Sequence, residues 1–360
     1  MAHEIASIPS SKSKKIFPPS GDSLGPKNFS LKELRAATHN FSDSQLLGRG
    51  GFGYVYLGIL SDQDGTKVAV KRIADRSSQG MKEFRAELTT IGNLRHRNLV
   101  KLKGWCYDEG TCMLVYEYMA NGSLDTLLFN NDRCAKLTWT RRWSMALGLG
   151  AALQYLHMEC DNVIIHRDVK ASNVLVDDSF GAKLGDFGLS RQMDLGKTSH
   201  TTALAGTRGY MGPELFTGLG KATCKSDVFA FGAVLLEIVT GKHAIDASLL
   251  TSHEGMLLYW VWDMFSQGKL LDVVDKRLDE SSCTNLEEAK MLLIVALACS
   301  HPDPKARPSI RHAMEALNGA VALPWVSPCR PVPSYRPLPS MSSWVEDSDS
   351  QSASLTMSAK

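Results

Sequence analysis

Apolar residues follow two patterns along the chain. Between residues 47 and 115, β-branched and aromatic segments such as 54–56 and 68–70 are separated by glycine and Asp-Gly turns, which is typical of antiparallel strands. One segment with helical spacing interrupts them, residues 80–94, whose apolar positions are Met81, Phe84, Leu88, Ile91 and Leu94. The pattern predicts a strand-rich unit that contains a single helix.

Helical spacing dominates after residue 122 and predicts helices over 143–157, 227–240 and 286–299. The last two are apolar on nearly all sides, so we expect them at the centre of a helical unit. The predicted fold class is therefore α+β with two lobes. Strands occupy 47–115, a hinge follows over 116–122, and helices fill 123–322.

The flanks of this region have a different composition. Ser30 and Glu33 have the spacing of a helix capping box, which predicts a lead-in helix within residues 28–46. Residues 1–27 are rich in Ser, Pro, Gly and Lys, and residues 323–360 combine prolines with a Ser-rich acidic end, so both are predicted to be disordered. The basic run 12–15 is interpreted as solvated charge, with contact to anionic lipid as the alternative.

Composition excludes several classes of protein. A chain of 360 residues with 44% hydrophobic content can bury a large core, and a net charge of +2 gives no reason to expect a nucleic-acid partner. The eight cysteines show no CxxC pair or zinc spacing, so they are predicted to be reduced, buried thiols. A disulfide between Cys106 and Cys112 across a hairpin is the less favoured alternative. Cytosol is the expected compartment.

No sequence feature predicts direct membrane anchoring. The longest apolar run, 228–239, is interrupted by Glu237 and falls short of the roughly 20 residues that span a bilayer. There is no signal-peptide pattern, Ala2 stands where myristoylation needs glycine, and the end of the sequence has no prenylation cysteine. The expected location is cytoplasmic, with a partner supplying any attachment to the plasma membrane.

A glycine-rich segment is the first candidate site. Its glycines would let backbone N–H groups approach phosphate oxygens in the run Gly48, Arg49, Gly50, Gly51, Phe52, Gly53, Tyr54, Val55. The same spacing occurs in dinucleotide-binding folds and in glycine-rich hairpins without a ligand. Strand residues rather than a helix follow the glycines, which argues against the dinucleotide interpretation.

Two charged residues lie at apolar positions near this segment. Lys71 ends the apolar strand 68–71, and Glu87 lies beside the apolar stripe of the helix predicted over 80–94. A buried ammonium needs a partner, so we expect the two side chains to meet. The alternative is a pair of ordinary surface charges.

The strongest signal combines two short motifs, His166-Arg167-Asp168-Val169-Lys170-Ala171-Ser172-Asn173 and Asp186-Phe187-Gly188. Asn173 and Asp186 offer the hard oxygen ligands that Mg²⁺ prefers when it bridges phosphate oxygens. Asp168 remains free to accept a hydroxyl proton.

The chain resembles the eukaryotic protein kinase family over residues 47–317. The resemblance is carried by five features in the family's order: the glycine-rich loop, the strand lysine, the helix glutamate, the catalytic loop and the DFG motif. The resemblance implies a bilobal kinase fold, with ATP and Mg²⁺, or Mn²⁺ in its place, as cofactors. It makes Asp168 the catalytic base, supported by Lys71, Glu87, Lys170 and Thr207. Besides the glycine-rich run and Lys71, the implied ATP site contains Leu47, Ala69, Glu117, Met119 and Leu175, with Tyr116 as the gatekeeper.

The resemblance also implies supporting and regulatory residues. Glu214 is expected to pair with Arg307, Asp227 to brace the catalytic loop, and Gly212 stands where the family usually has alanine, a change expected to loosen the segment. Arg167 implies control by phosphorylation between Asp186 and Glu214, with these candidates: Thr198, Ser199, Thr201 and Thr202. A merely solvated Ser/Thr loop is the alternative.

At finer level the chain resembles plant receptor-like kinases, and among them the legume-lectin (L-type) receptor kinases, in segments such as 29–34, 79–84 and 299–302. Those proteins normally carry a lectin domain and a membrane span, and we expect neither here. The expected function is a serine/threonine protein kinase that acts on protein hydroxyls and, through transient self-association, on itself. A pseudokinase scaffold and a fragment of a longer receptor are the alternatives.

Overall fold

The computed structural model describes residues 25–50, 53–61, 64–73, 78–108, 110–193, 206–216, 221–245, 256–278 and 285–331. The first part of the chain forms a six-stranded sheet from β1 (Lys27–Asn28), β2 (Leu46–Gly50), β3 (Gly53–Ile59), β4 (Lys67–Arg72), β5 (Leu102–Asp108) and β6 (Thr111–Glu117). The order is β1-β5-β6-β4-β3-β2, and every pairing is antiparallel except that of β1 with β5.

Alternation along the strands gives this sheet two buried faces. Helix α1 (Leu31–Ala37) covers one face, where Val68 and Val70 lie in a cluster with Met113 and Val115. Helix α2 (Ser78–Ile91) packs on the other face, against side chains that include Leu114 and Tyr116. Lys71 occupies the same face of β4 as Ala69, away from α1.

The second part of the chain is mainly helical. It contains α3 (Leu124–Leu128), α4 (Asn131–Cys134), α5 (Trp139–Gln154), α6 (Cys224–Thr240), α7 (Leu257–Ser266), α8 (Leu286–Cys299) and α9 (Ile310–Leu317), with four short strands, β7 (Val163–Ile165), β8 (Val174–Val176), β9 (Ala182–Leu184) and β10 (Arg191–Met193). Every residue of α6 from Ser226 to Thr240 is buried, and α6 packs along α8. The prediction that these two helices are central is confirmed.

Some predicted bounds differ from the structure. Helix α8 has the predicted bounds, whereas α5 begins earlier than expected and continues into a π-helical turn, Tyr155–Glu159. Helix α2 ends at Ile91 rather than residue 94, and the Leu94 N–H bonds the Ile91 carbonyl at 3.2 Å in a turn instead of continuing the helix. The lead-in helix has the predicted capping box but ends at Ala37, because the Thr38 hydroxyl bonds back to Leu34 and residues 39–41 turn left-handed.

The structure also differs from the predicted disordered tail that began at residue 323. Val326 packs against the core, the indole N–H of Trp262 donates to the Ser327 carbonyl at 3.2 Å, and Arg330 lies over the Tyr259 ring. Proline prevents regular structure here, but it does not prevent side-chain docking. The rest of this tail, and residues 1–24 of the other, lie outside the described residues.

Cysteine burial matches the expectation only in part. Cys106, Cys112, Cys134 and Cys299 are buried and free, but Cys329 is exposed. Across the described ranges, no helix combines the length and apolarity needed to cross a membrane.

Candidate active site

Lys71 lies between the two lobes and joins two of the predicted site segments. Its ammonium donates to Glu87 Oε2 at 2.9 Å and to Asp186 Oδ1 at 2.8 Å. Burial alone would lower the pKa of Lys71, but the charges of Glu87 and Asp186 raise it well above its usual value. Lys71 therefore stays positively charged although its side chain is only 12% exposed.

Glu87 is 1% exposed, and both of its carboxylate oxygens are engaged. While Oε2 accepts from Lys71, Oε1 accepts a short hydrogen bond from the Tyr116 hydroxyl. Burial raises the pKa of Glu87, and burial beside Glu87 raises the pKa of Tyr116 far above its ordinary value. No sequence pattern predicts this bond, because it depends on how α2 packs on β6.

Asp168 lies on the catalytic loop, where several donors orient its carboxylate. The Thr207 hydroxyl donates to Oδ1 at 2.7 Å, and the Lys170 ammonium lies 2.8 Å from Oδ2. Lys170 also donates to the Thr207 hydroxyl at 2.9 Å, which closes a triangle of three side chains. The side chain of Asp168 is 4% exposed, so its orientation is fixed before any substrate arrives.

Asn173 and Asp186 are the predicted metal ligands. The Asn173 amide nitrogen donates to the Asp168 carbonyl at 2.8 Å and to Asp168 Oδ2 at 3.0 Å, which leaves the amide oxygen for a cation. Burial would raise the pKa of Asp186, but Lys71 lowers it overall, so this carboxylate stays ionised. These hard oxygen donors fit a divalent cation that completes its shell with phosphate and water oxygens. Across the described ranges, this site included, no group of three or more acidic, His or Cys side chains is placed to hold a metal by itself.

Asp227, at the start of α6, holds the backbone of the catalytic loop. Its carboxylate accepts the N–H groups of His166 at 2.8 Å and Arg167 at 2.9 Å, and it bonds the His157 ring at 2.9 Å. Arg167 has φ of 72°, a left-handed conformation that is unfavourable for a side chain of this size. The buried carboxylate stabilises that turn and so fixes the position of Asp168.

Glu214 and Arg307 form the predicted pair deep in the helical lobe. Two parallel hydrogen bonds of 2.7 Å join the guanidinium to the carboxylate, and Arg307 also donates to the Lys225 carbonyl at 2.8 Å. At Gly212 an added Cβ would lie 2.4 Å from Glu214 Oε2. The Glu214 carboxylate therefore occupies the space that an alanine methyl would take, and the looser segment expected from this glycine stays a prediction.

The described residues of the implied ATP site lie on strands of the six-stranded sheet, except Met119, which follows β6, and Leu175, which lies on β8. Val55 pairs with Lys71 across β3 and β4, and Ala69 pairs with Tyr116. Glu117 is fixed by two 2.9 Å contacts with the Lys183 ammonium, a partner that sequence reasoning missed. The other described members of the set are Leu47, Gly48, Arg49, Gly50, Gly53, Tyr54, Met119 and Leu175, whereas Gly51 and Phe52 lie outside the described residues.

Arg167 is the predicted regulatory cation. Its guanidinium donates to the Leu189 carbonyl at 3.3 Å, and burial together with the charge of nearby Arg191 lowers its pKa. Two guanidinium groups at one place would be stabilised by an anion. The four predicted phosphorylation sites, Thr198, Ser199, Thr201 and Thr202, lie outside the described residues.

Comparison with known proteins agrees with this geometry. The model of the protein kinase domain matches residues 41–317. The L-type lectin-domain containing receptor kinase VIII.1 of Arabidopsis thaliana is 46% identical over 86% of this chain and 43% of its own length. Its relative SIT2 of Oryza sativa subsp. japonica is 47% identical over 85% of this chain and 44% of its own length. The chain thus spans less than half the length of these relatives.

Replacing Tyr116 with phenylalanine should destabilise the protein, because a buried oxygen of Glu87 loses its hydrogen-bond donor. We expect the free energy of unfolding to fall by about 1–3 kcal/mol in chemical denaturation. Tyr155→Phe is the matched control, since the Tyr155 hydroxyl accepts a 3.4 Å bond from the exposed Arg95 N–H and interacts with the Cys160 thiol, rather than donating to a buried carboxylate. Equal losses in the two variants would contradict the importance given to the Tyr116 bond.

His157 should make the stability depend on pH. Burial would lower the pKa of His157, but the hydrogen bond to Asp227 raises it from 6.5 to about 9. Because the folded value is the higher one, the protonated ring stabilises the fold fully below pH 6.5, and this contribution disappears as the pH rises through 9.

The measurement compares the wild type with His157→Gln, whose amide stays neutral. The stability advantage of the wild type should shrink between pH 6 and pH 9.5 by an amount on the order of 3 kcal/mol. An advantage that stays constant over this range would show that His157 is not protonated in the folded protein.

Proposed function

The chain belongs to the protein kinase family, and we propose that it transfers the γ-phosphate of ATP to serine and threonine hydroxyls of proteins. The observation that carries this proposal is the triangle of Asp168, Lys170 and Thr207, together with the ion group of Lys71, Glu87 and Asp186. Protein kinases use ATP and a divalent metal, so the cleft needs to hold phosphates and a cation close to a hydroxyl.

Each described residue has a separate task in the proposed reaction. Lys71 binds the ATP phosphates, with Glu87 holding its ammonium in place, and the backbone of the glycine-rich hairpin covers them. Asp168 accepts a hydrogen bond from the attacking hydroxyl and takes its proton, so the oxygen is aimed at the γ-phosphorus. Lys170 lies beside the Asp168 carboxylate and neutralises charge on the transferring group.

Asn173 and Asp186 would hold the cation, for which we propose Mg²⁺ because both donors are hard oxygens. When bound, the cation neutralises the phosphate oxygens and orients them for displacement. Thr207 donates to Asp168 and borders the position that a substrate hydroxyl would occupy. This arrangement favours small aliphatic hydroxyl groups, which supports serine and threonine as acceptors.

A scaffold that binds partners without transferring phosphate is the rival function. Such a protein would be expected to lack one of Lys71, Asp168 or Asp186, yet all three are present and each is held by hydrogen bonds. The relatives are named receptor kinases, so we propose that the chain works in receptor-like kinase signalling on the cytoplasmic side of a membrane. Phosphorylation of its own segment 198–202, through transient self-association, is part of the same proposal.

The proposal is tested with labelled ATP and Mg²⁺, using the chain alone and the chain with a generic Ser/Thr protein substrate. Asp168→Asn and Asp186→Asn should each lower the rate of transfer by at least about a hundredfold, while the circular dichroism spectrum stays unchanged. Label on the chain alone, located by mass spectrometry, reports autophosphorylation.

Asp178→Asn is the matched control, since Asp178 is an exposed carboxylate near the same loop and should leave the rate unchanged. Near-normal transfer by Asp168→Asn would refute its assigned role. A wild-type chain that binds ATP but transfers no phosphate would favour the scaffold.

A further inference from the structure

The lead-in segment, residues 25–41, lies almost entirely outside the part of the chain that the family model matches, which begins at residue 41. It is nevertheless built into the first lobe. Strand β1 extends the sheet by pairing Lys27 with Gly104 and Asn28 with Trp105, and the Phe29 N–H donates to the Trp105 carbonyl at 2.8 Å. The segment therefore belongs to the folded lobe.

The contact between this segment and the sheet is close. A Cβ added to Gly104 would lie 2.2 Å from the Lys27 carbonyl oxygen and 2.4 Å from the Phe29 ring, so only glycine admits the segment here. Leu34 is fully buried and Phe29 is 5% exposed. Both lie on the face of the sheet opposite to Lys71, so the segment acts from behind the nucleotide side of the cleft.

The turn that ends the segment has an unusual backbone. His39, Asn40 and Phe41 have φ values of 49°, 56° and 56°, three consecutive left-handed residues without a glycine. This conformation is unfavourable because each Cβ approaches the following carbonyl oxygen. Thr38 stabilises the turn, since its hydroxyl donates to the Leu34 carbonyl at 2.7 Å and accepts the Phe41 N–H at 3.1 Å. Such strain persists only where surrounding contacts enforce it.

The result of the turn is the position of the Phe41 ring. Its centroid lies 5.5 Å from that of Tyr56 in an edge contact, and the Arg72 guanidinium covers it at 5.2 Å. On its other side the Tyr56 ring stacks on the ring of Tyr54, with the two centroids 6.4 Å apart. The Arg49 guanidinium lies over the Tyr54 ring at 4.9 Å. A continuous row of rings and guanidinium groups thus connects the lead-in segment to the hairpin of β2 and β3.

We propose that the lead-in segment is a positioning element for the nucleotide site, and that Phe41 is the residue through which it holds the glycine-rich hairpin. This inference rests on the proposed function, because it assumes that the hairpin covers ATP phosphates. Val55 of the hairpin pairs with Lys71. Arg72, whose guanidinium lies over the Phe41 ring, is the next residue after Lys71. Without the Phe41 ring the hairpin would lose this support. Binding of ATP would then have to order the hairpin, and that cost would weaken the affinity for ATP.

The test compares the full-length wild type with Phe41→Ala and with two milder changes, Phe41→Leu and Phe41→Tyr. For Phe41→Ala we expect the KM for ATP and the Kd for Mg-ADP to rise about tenfold, with kcat and the KM for the protein substrate within about twofold. Phe41→Leu should show a smaller rise, and Phe41→Tyr, which keeps the ring, should resemble the wild type. A merely structural role would lower kcat through loss of folded enzyme and leave the KM for ATP unchanged.

Phe180→Ala is the matched control. Phe180 also has positive φ and lies 3.6 Å beneath an arginine, Arg141, but it belongs to the helical lobe and should not affect ATP binding. An unchanged Kd for Mg-ADP in both Phe41→Ala and Phe41→Leu, or an equal rise in Phe180→Ala, overturns the inference. If the wild type transfers no phosphate but binds Mg-ADP, the proposed function fails and the Kd values still decide this inference. A wild type that binds no nucleotide overturns both.

Discussion

The ion group of Lys71, Glu87 and Asp186 is the interaction on which the arrangement of the two lobes depends. The charges of Lys71 and Glu87 would each cost several kcal/mol to bury alone, and their contact offsets that cost, while Asp186 adds a second carboxylate to the ammonium. Lys71 comes from β4, Glu87 from α2 and Asp186 from the loop after β9, so the group assembles only when these elements are correctly docked. The requirement for charge compensation thus sets the geometry of the cleft.

The opposite side of the cleft depends on α6. Its fully buried course places the Asp227 carboxylate beneath the catalytic loop, where that carboxylate engages two backbone N–H groups. Both Arg167 and Asp186 have left-handed backbones, and each lies next to one of these buried charged groups. The unfavourable backbone conformations at Arg167 and Asp186 are therefore maintained by interactions made elsewhere in the core.

Sequence reasoning succeeded where local signals and long-range contacts agree. The bounds of α8 were predicted from its apolar residues, which cover nearly all sides of a helix, and the structure adds that Asn285 caps the first turn. The family and the two-lobed α+β fold were likewise predicted, since the motifs carry chemistry that needs these residue types in this order. Sequence reasoning could not predict three contacts: the hydrogen bond of Tyr116 to Glu87, the contact of Lys183 with Glu117, and the docking of residues 326–330 on α7. Each joins segments whose proximity depends on the finished fold.

The two faces of the first sheet explain how the lead-in segment, which has no catalytic residue, can affect the position of Lys71. Alternation along β4 directs Val70 towards α1 and Lys71 towards the cleft, so a single strand separates the lead-in segment from the ammonium. A shift of α1 would have to move Val68 and Val70, and with them the backbone that carries Ala69 and Lys71. Because the Lys71 group tolerates little displacement without leaving a buried charge unpaired, the packing behind the sheet and the electrostatics in front of it act as one constraint.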